Sequence, residues 1–483
     1  MSKSLKKNAL LNVFRNITRL LFPLIIFPYV SRILMPEGIG KVNFANSIIS
    51  YFSIIAMLGI NSYGVREAAK IRDDKEALSK FTKEMFIINI ISTIVAYILL
   101  FLSLIFVKKF ENYRILLIVT SSTLLLNTLG FEWLFLALEE YFYVTVRTIV
   151  FQVVSLILVF FMVRKPEDVL NYALVSVISN AGANICNIFS VRRFLNFRVR
   201  EKLEFRKHLQ PIFVLFFSSI AIIIFSMLDT SMVGFLKDDI EVGYYSAATK
   251  IVRMIRDLFP AISAVLCSRV SIYYAQNNFE KIKDVSKKIL DLFYAFSIPI
   301  CIGLILLMEP VVLLMCGKDF LQAVPVGQVM APLVILSSVS GYLSGCILIS
   351  FGREKIYMFV EMGAALLDVV LNFVFIPKYG ALGAAIATMI TEAAMFIIFH
   401  YFTRDVLIGV KIIKNLLEYI FSAIVMSFVI LVELHFLKTE YIFTLLICFV
   451  SGVVTYGGLL LLMRNSFVME MGQFVVKKLK ANR

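Results

Sequence analysis

Seven cations stand inside stretches that are otherwise apolar enough to cross a bilayer: Arg15, Arg19, Arg32, Lys250, Arg253, Arg256 and Arg269. A charge at the centre of a span costs about 2.5–3.5 kcal/mol on insertion scales, so such residues normally face protein or water. Arg15 and Arg19 are four apart and share a helix face, while Lys250, Arg253, Arg256 and Asp257 fall within about 120° of arc. Arg15, Arg32 and Arg269 lie close enough to a span end to snorkel, but Arg253 lies near the middle of its span. Guanidinium groups offer paired donors to phosphate oxygens and keep their charge, so these stripes suit an anionic, phosphate-bearing substrate and repel cationic ones. Arg15, Arg19, Lys250, Arg253 and Arg256 are therefore the expected lining of a cationic cavity. The competing reading is structural pairing, for example of Arg253 with Asp257 or Asp229.

Asn43, Asn46, Ser47 and Ser50 recur at helical spacing and form a neutral polar lining, suited either to a hydroxyl-rich ligand or to close helix packing. Acids within spans are Glu132, Asp229, Glu361, Asp368, Glu392, Glu418 and Glu433. A carboxyl group in low dielectric balances a cation or holds a proton. Asp229 and Glu132 are the expected counter-ion or coupling residues. The six cysteines show no CxxC spacing and His numbers three, so no metal, disulfide or cofactor is expected. No GxxxxGK[ST] loop is present and no loop is large enough to hold a catalytic domain, so neither nucleotide hydrolysis nor any enzyme activity is expected.

The elements that must position these residues follow from composition. Of 483 residues 60% are apolar and only 17% charged, and the mean hydropathy is +0.87; soluble chains run nearer 45–50% and 25%. The expected fold is an all-α integral membrane protein of about fourteen spans, each of roughly 20 apolar residues. They are placed near 9–34, 41–62, 84–107, 114–137, 144–163, 168–191, 211–235, 241–272, 289–313, 324–350, 356–376, 380–402, 416–437 and 441–463. The basic start Lys3, Lys6 and Lys7 is followed by no small-residue cleavage site, so the first span is expected to remain as an anchor. With the amino terminus inside, 31 of the 48 Lys and Arg fall in inward loops, Arg147 among them, 10 in outward loops and seven within spans. That bias places both ends in the cytoplasm. It also accounts for most of the net charge of +15, which argues against nucleic acid as a partner.

Ile39-Gly40-Lys41-Val42-Asn43-Phe44-Ala45-Asn46-Ser47 opens the second span and Val242-Gly243-Tyr244-Tyr245-Ser246-Ala247-Ala248-Thr249-Lys250 opens the eighth, 203 residues later. Six spans separate them, an even number, so the repeat is parallel: two six-helix bundles with a cationic cleft between them. The expected organisation is a bundle over 1–191, a basic linker over 192–210, a second bundle over 211–402, and two terminal helices with a tail over 403–483.

The segment Glu132 to Glu139, the stretch Val242 to Lys250 with Asp229 upstream, and Leu371-Asn372-Phe373-Val374-Phe375-Ile376-Pro377-Lys378-Tyr379-Gly380-Ala381-Leu382-Gly383-Ala384-Ala385 resemble the polysaccharide flippases of the Wzx (RfbX-like) type. These belong to the multidrug/oligosaccharidyl-lipid/polysaccharide exporter superfamily. The resemblance spans essentially the whole chain. It implies transport of an undecaprenyl-pyrophosphate-linked oligosaccharide from the inner to the outer leaflet of a bacterial plasma membrane, for capsule, O-antigen or exopolysaccharide assembly. The implied partners are that lipid-linked substrate, membrane lipid and polysaccharide polymerase machinery. Alternatives within the superfamily are a peptidoglycan lipid-precursor flippase and an ion-coupled drug antiporter. The turn around Pro377 to Ala385 reads as structural, with Gly380 and Gly383 allowing close helix approach.

Overall fold

A computed structural model describes residues 5–195, 203–408, 413–437 and 440–471, the side chains of 5–21, 23, 218–219, 221–225, 260–262, 264–266 and 413 excepted. Every regular element among the described residues is helical. In hydrocarbon no water can satisfy a free backbone N–H or C=O, so each segment satisfies its own backbone groups as a helix. Eleven stretches among the described residues are long and apolar enough to cross a membrane.

The chain divides into two compact units, Met1–Gly243 and Tyr244–Arg483. The first holds α1 (Leu5–Met57), α2 (Ile60–Lys70), α3 (Lys75–Phe106), α4 (Arg114–Gly130), α5 (Glu132–Ala137), α6 (Tyr141–Met162), α7 (Val169–Val177), α8 (Asn184–Ser190), α9 (Arg206–Leu236) and the start of α10 (Asp239–Arg256). The second continues with α11 (Leu258–Ala275), α12 (Phe279–Met315), α13 (Ala323–Met330), α14 (Leu333–Tyr342), α15 (Glu354–Tyr379), α16 (Ala381–Leu407), α17 (Ile413–Phe436) and α18 (Tyr441–Leu462).

Several expected spans are broken, and each break has a local cause. The loop expected between the first two spans is a kink inside α1, where Met35 takes φ 62° and ψ 176° ahead of Pro36. The span expected over 114–137 breaks at Phe131, which is left-handed at φ 47°. The one over 241–272 divides at Asp257. Pro332, which has no N–H to give, separates α13 from α14. A π-helical turn at Ile178–Gly182 interrupts one more, and another at Leu343–Leu348 falls in the same expected span as Pro332; hydrophobic periodicity carries no signal for such bulges.

Loops expected to share a face of the membrane touch one another within each unit. In the first unit the Tyr113 hydroxyl bonds the Asp239 carboxylate and Lys109 Nζ donates to the Lys237 carbonyl at 3.1 Å. At the opposite end Arg72 pairs with Glu139 at 2.6 Å. There His208 bridges the Tyr63 hydroxyl and the Glu84 carboxylate, both at 2.8 Å, inside a core that includes Trp133, Phe81 and Ile60. Trp133 packs so tightly on α2 that a Cβ at Gly64 would lie 2.7 Å from its ring. In the second unit Arg353 pairs with Asp405, and Lys288 with Glu470. Apolar side chains such as Ile98, Ile105 and Phe106 stay on the outside of α3, where lipid is the natural solvent for them.

The α15–α16 hairpin turns on Gly380, whose φ of 59° and ψ of −132° belong to a region that only glycine enters readily. Three residues on, a Cβ at Gly383 would fall on the backbone carbonyl of Phe375, and a backbone cannot swing aside as a side chain can. Gly383→Ala gains up to about 1 kcal/mol of helix propensity but forces the helices apart, at an overpacking cost of about 1–3 kcal/mol. The net expectation is a lower unfolding temperature in detergent. An unchanged or higher one would mean that the two helices do not meet there.

Candidate functional site

The electrostatics of α10 follow from its order of residues. Asp239 and Glu241 occupy its first turn and Arg253 and Arg256 its last, each sign matching the helix dipole. Lys250 and Arg253 are half-buried. Arg256 holds the Asp257 carboxylate at 3.3 Å, its own side chain 28% exposed. It also acts electrostatically on Glu392 of α16, a buried carboxylate that acts in turn on Glu361 of α15. In the second unit one guanidinium thus acts on a buried acid, Glu392, which a second acid, Glu361, also faces. Both acids are visible as intramembrane charges in the sequence, but their meeting depends on the packing of α15 on α16.

The polar stripe of α1 falls in the first unit. Asn43 and Asn46 are half-buried; Ser47 is buried and donates to the Phe44 carbonyl at 2.8 Å, and Ser50 donates to that of Asn46 at 2.7 Å. These two hydroxyl protons are committed to their own helix, leaving oxygen lone pairs as what they can offer a ligand. The next residue, Tyr51, bonds Ser231 at 2.6 Å and lies in the field of Asp229, which is 6% exposed. Arg15 and Arg19 belong to the backbone of α1, but their side chains lie outside the described residues.

Arg147 corrects the sequence reading. Counted there as a loop residue, it sits in α6 with its side chain 5% exposed. One nitrogen donates to Asn184 Oδ1 at 3.0 Å and another lies 3.6 Å from Glu132. Asn184 also donates to Asn127 at 2.9 Å. A Cβ at Gly130 would collide with the Asn184 side chain, so the break before α5 lets this polar network close. Glu132 thus has a partner that the sequence did not indicate. The reason is that Arg147 on α6 and Asn184 on α8, 37 residues apart, meet only once the helices have folded together.

Two further clusters lie in the second unit. Asp368, 1% exposed, accepts from Asn372 at 2.9 Å and Thr391 at 3.3 Å, joining α15 to α16. An apolar cavity of about 880 Å³ is lined from α12, α17 and α18 by residues that include Phe296, Pro299, Leu307, Met426 and Phe449. Cys267 and Cys346, expected to stand apart, form a disulfide with Cα atoms 4.9 Å apart. The 79 residues between them conceal this pairing in the sequence. Among the described residues no group of three or more His, Cys, Asp or Glu is arranged to hold a metal ion.

Residues 5–267 match the family described as polysaccharide biosynthesis protein, and 215–374 match the MatE family. The chain belongs to the polysaccharide biosynthesis protein family. A protein named as an O-antigen transporter in Shigella dysenteriae is 26% identical over 393 residues, 80% of this chain and 97% of that one. Another of that name from Escherichia coli K12 is 23% identical, covering 83% and 97%. The inward closed structure of the lipid II flippase MurJ superposes with a TM-score of 0.67 at 20% identity, over 92% of this chain and 99% of that one. That likeness places this member of the family in the same all-helical membrane fold, the class expected from its composition.

If Arg256 and Glu392 act on each other, a double-mutant cycle of Arg256→Ala and Glu392→Gln should give a coupling energy of about 0.5–3 kcal/mol in stability. The double variant should then be less damaged than the sum of the singles. Additive losses would separate the two groups.

Proposed function

We propose that the protein is a flippase for lipid-linked oligosaccharide. It carries an undecaprenyl-pyrophosphate-linked repeat unit from the inner to the outer leaflet of a bacterial plasma membrane, for capsule, O-antigen or exopolysaccharide assembly. The observation that carries this reading is the cationic run Lys250, Arg253 and Arg256 on a helix of a membrane chain, within a family of polysaccharide biosynthesis proteins. Cations persist in such surroundings when they meet an anion or water, and a pyrophosphate is the anion that this substrate class supplies. Arg253 and Lys250 bind its oxygens, and Arg256 shares itself with Asp257 and Glu392. Asn43, Asn46 and Ser50 meet sugar hydroxyls, while Ser47, expected to join them, is buried against its own helix. Asp229 and Glu132 balance cations when the head group is absent.

The polyprenyl tail stays in an apolar setting throughout, for which the cavity between α12 and the α17–α18 hairpin has the right chemistry. No covalent bond changes, so binding and release alone set the cycle. With both termini cytoplasmic and the interior negative, expelling one negative charge is favoured by roughly 2.3 kcal/mol per 100 mV. Polymerisation of the carried unit outside adds to that pull. Rocking of two six-helix bundles would alternate access. Arg rather than acid along the stripe favours this reading over a carrier of cationic drugs, and the peptidoglycan-precursor reading has the fold likeness alone behind it.

The test is reconstitution in vesicles with a fluorescent lipid-linked oligosaccharide, following its transfer between leaflets. Arg253→Ala should slow transfer at least tenfold, and Arg253→Lys, which keeps the charge but not the fork of donors, should fall between. Wild-type rates from both, in correctly inserted and stable protein, would remove the head-group role of this stripe.

A further inference from the structure

On α11 the residues Cys267, Ser271 and Tyr274 stand four and then three positions apart and so share one face of the helix. Within the second unit that face meets one stretch of chain, the π turn Leu343–Leu348 and the residues that follow it. Cys267 is joined to Cys346, the Ser271 and Ser350 hydroxyls bond at 2.7 Å, and the rings of Tyr274 and Phe351 lie 4.3 Å apart. The contact is a ladder whose first rung is covalent and whose other two are not. Cys346 belongs to the π turn itself and is fully buried, whereas Cys267 is half-buried, with the polar side chains of Ser268, Arg269 and Ser271 exposed around it. A π turn holds a surplus residue within an α-helix, and the disulfide fixes where that surplus sits. Without it only the hydroxyl bond and the ring contact hold the two segments together.

We propose that Cys267 and Cys346 are a thiol–disulfide switch, reduced in the resting cell and oxidised under thiol stress, that pins the π turn to α11 and slows the transporter. Its place in the chain carries the inference. Both segments run towards loops, 273–288 and 351–355, that are inward in the basic-residue count, and each cysteine lies within about a turn and a half of that end. A disulfide persists in an oxidising compartment, whereas one that faces the cytoplasm forms transiently and senses redox state. The chemistry follows from exposure. The Cys267 thiolate attacks a low-molecular-weight disulfide, forming a mixed disulfide and releasing one thiol; the Cys346 thiolate then attacks the Cys267 sulfur and expels the second. The two protons given up by the cysteines leave on the two released thiols. Reduction reverses both steps and again begins at Cys267, the sulfur that a soluble thiol can reach. Because α11 begins just after Arg256 and Asp257, fixing it also restrains the end of the cationic run. The inference rests on the flippase reading only for the activity that is slowed.

Differential alkylation of the full chain in bacterial membranes, read by peptide mass spectrometry, should find the pair mainly as thiols, and glutathione disulfide should convert it to the disulfide. In Cys346→Ser the oxidant should leave a mixed disulfide on Cys267, while in Cys267→Ser it should leave Cys346 unmodified. Amide hydrogen exchange across 343–351 should be severalfold slower in the oxidised protein than in the reduced one. In vesicles, oxidation should slow leaflet transfer severalfold and dithiothreitol should restore it, whereas Cys346→Ser should keep the reduced rate in the presence of oxidant. A pair already joined in unstressed cells, or one that no oxidant joins in folded protein, would overturn the switch. So would equal exchange in the two states or, in protein that transports, equal transfer. If neither state moves oligosaccharide lipid, the flippase reading falls, and alkylation and exchange still decide the switch.

Discussion

Inside hydrocarbon a polar group has no water to fall back on, and this molecule is organised by that restriction. Backbone groups are satisfied within helices, which is why every described regular element is helical. Side-chain charges obey the same rule by finding partners: Arg147 has Asn184 and Glu132, and Asp368 has Asn372 and Thr391. Where a helix must break, the break coincides with such a partner or with a residue suited to it. The left-handed Phe131 leads into α5 beside the Asn184 network, Gly380 makes the α15–α16 turn, and Pro332 divides α13 from α14.

Helix association in a membrane gains little from the hydrophobic effect, so close packing and a few polar bonds must supply it. Glycine does much of this. Gly383 admits a neighbouring backbone, Gly64 admits the face of Trp133, and Gly40 and Gly243 admit each other's surroundings. Gly64 lies in an aromatic core tied by His208 to Tyr63 and Glu84, while beside the Gly40–Gly243 contact Tyr113 bonds Asp239.

Much of this was legible from spacing alone. Long apolar runs mark an all-helical membrane chain, though several of the expected spans are broken or merged, and the glycine at 380 marks a turn. Side chains that act by meeting partners far along the chain were not legible. Arg147 looked like a loop cation because charge near a span end ordinarily marks a boundary. Glu361 and Glu392 looked like isolated acids because thirty residues and a helix hairpin separate them, and the pairing of Cys267 with Cys346 left no local trace. The kink at Met35 and the two π turns escaped because they barely disturb the apolar pattern by which helices are recognised.

The central claim is that cations on membrane helices receive a phosphorylated head group. Ligand-induced thermal stabilisation tests it without requiring transport. Polyprenyl pyrophosphate should raise the unfolding temperature in a salt-sensitive manner, because its charge is the recognised feature, and the uncharged polyprenol of equal length should not. Equal stabilisation by both lipids, unaffected by salt, would contradict the account, since the protein would then be recognising only the tail.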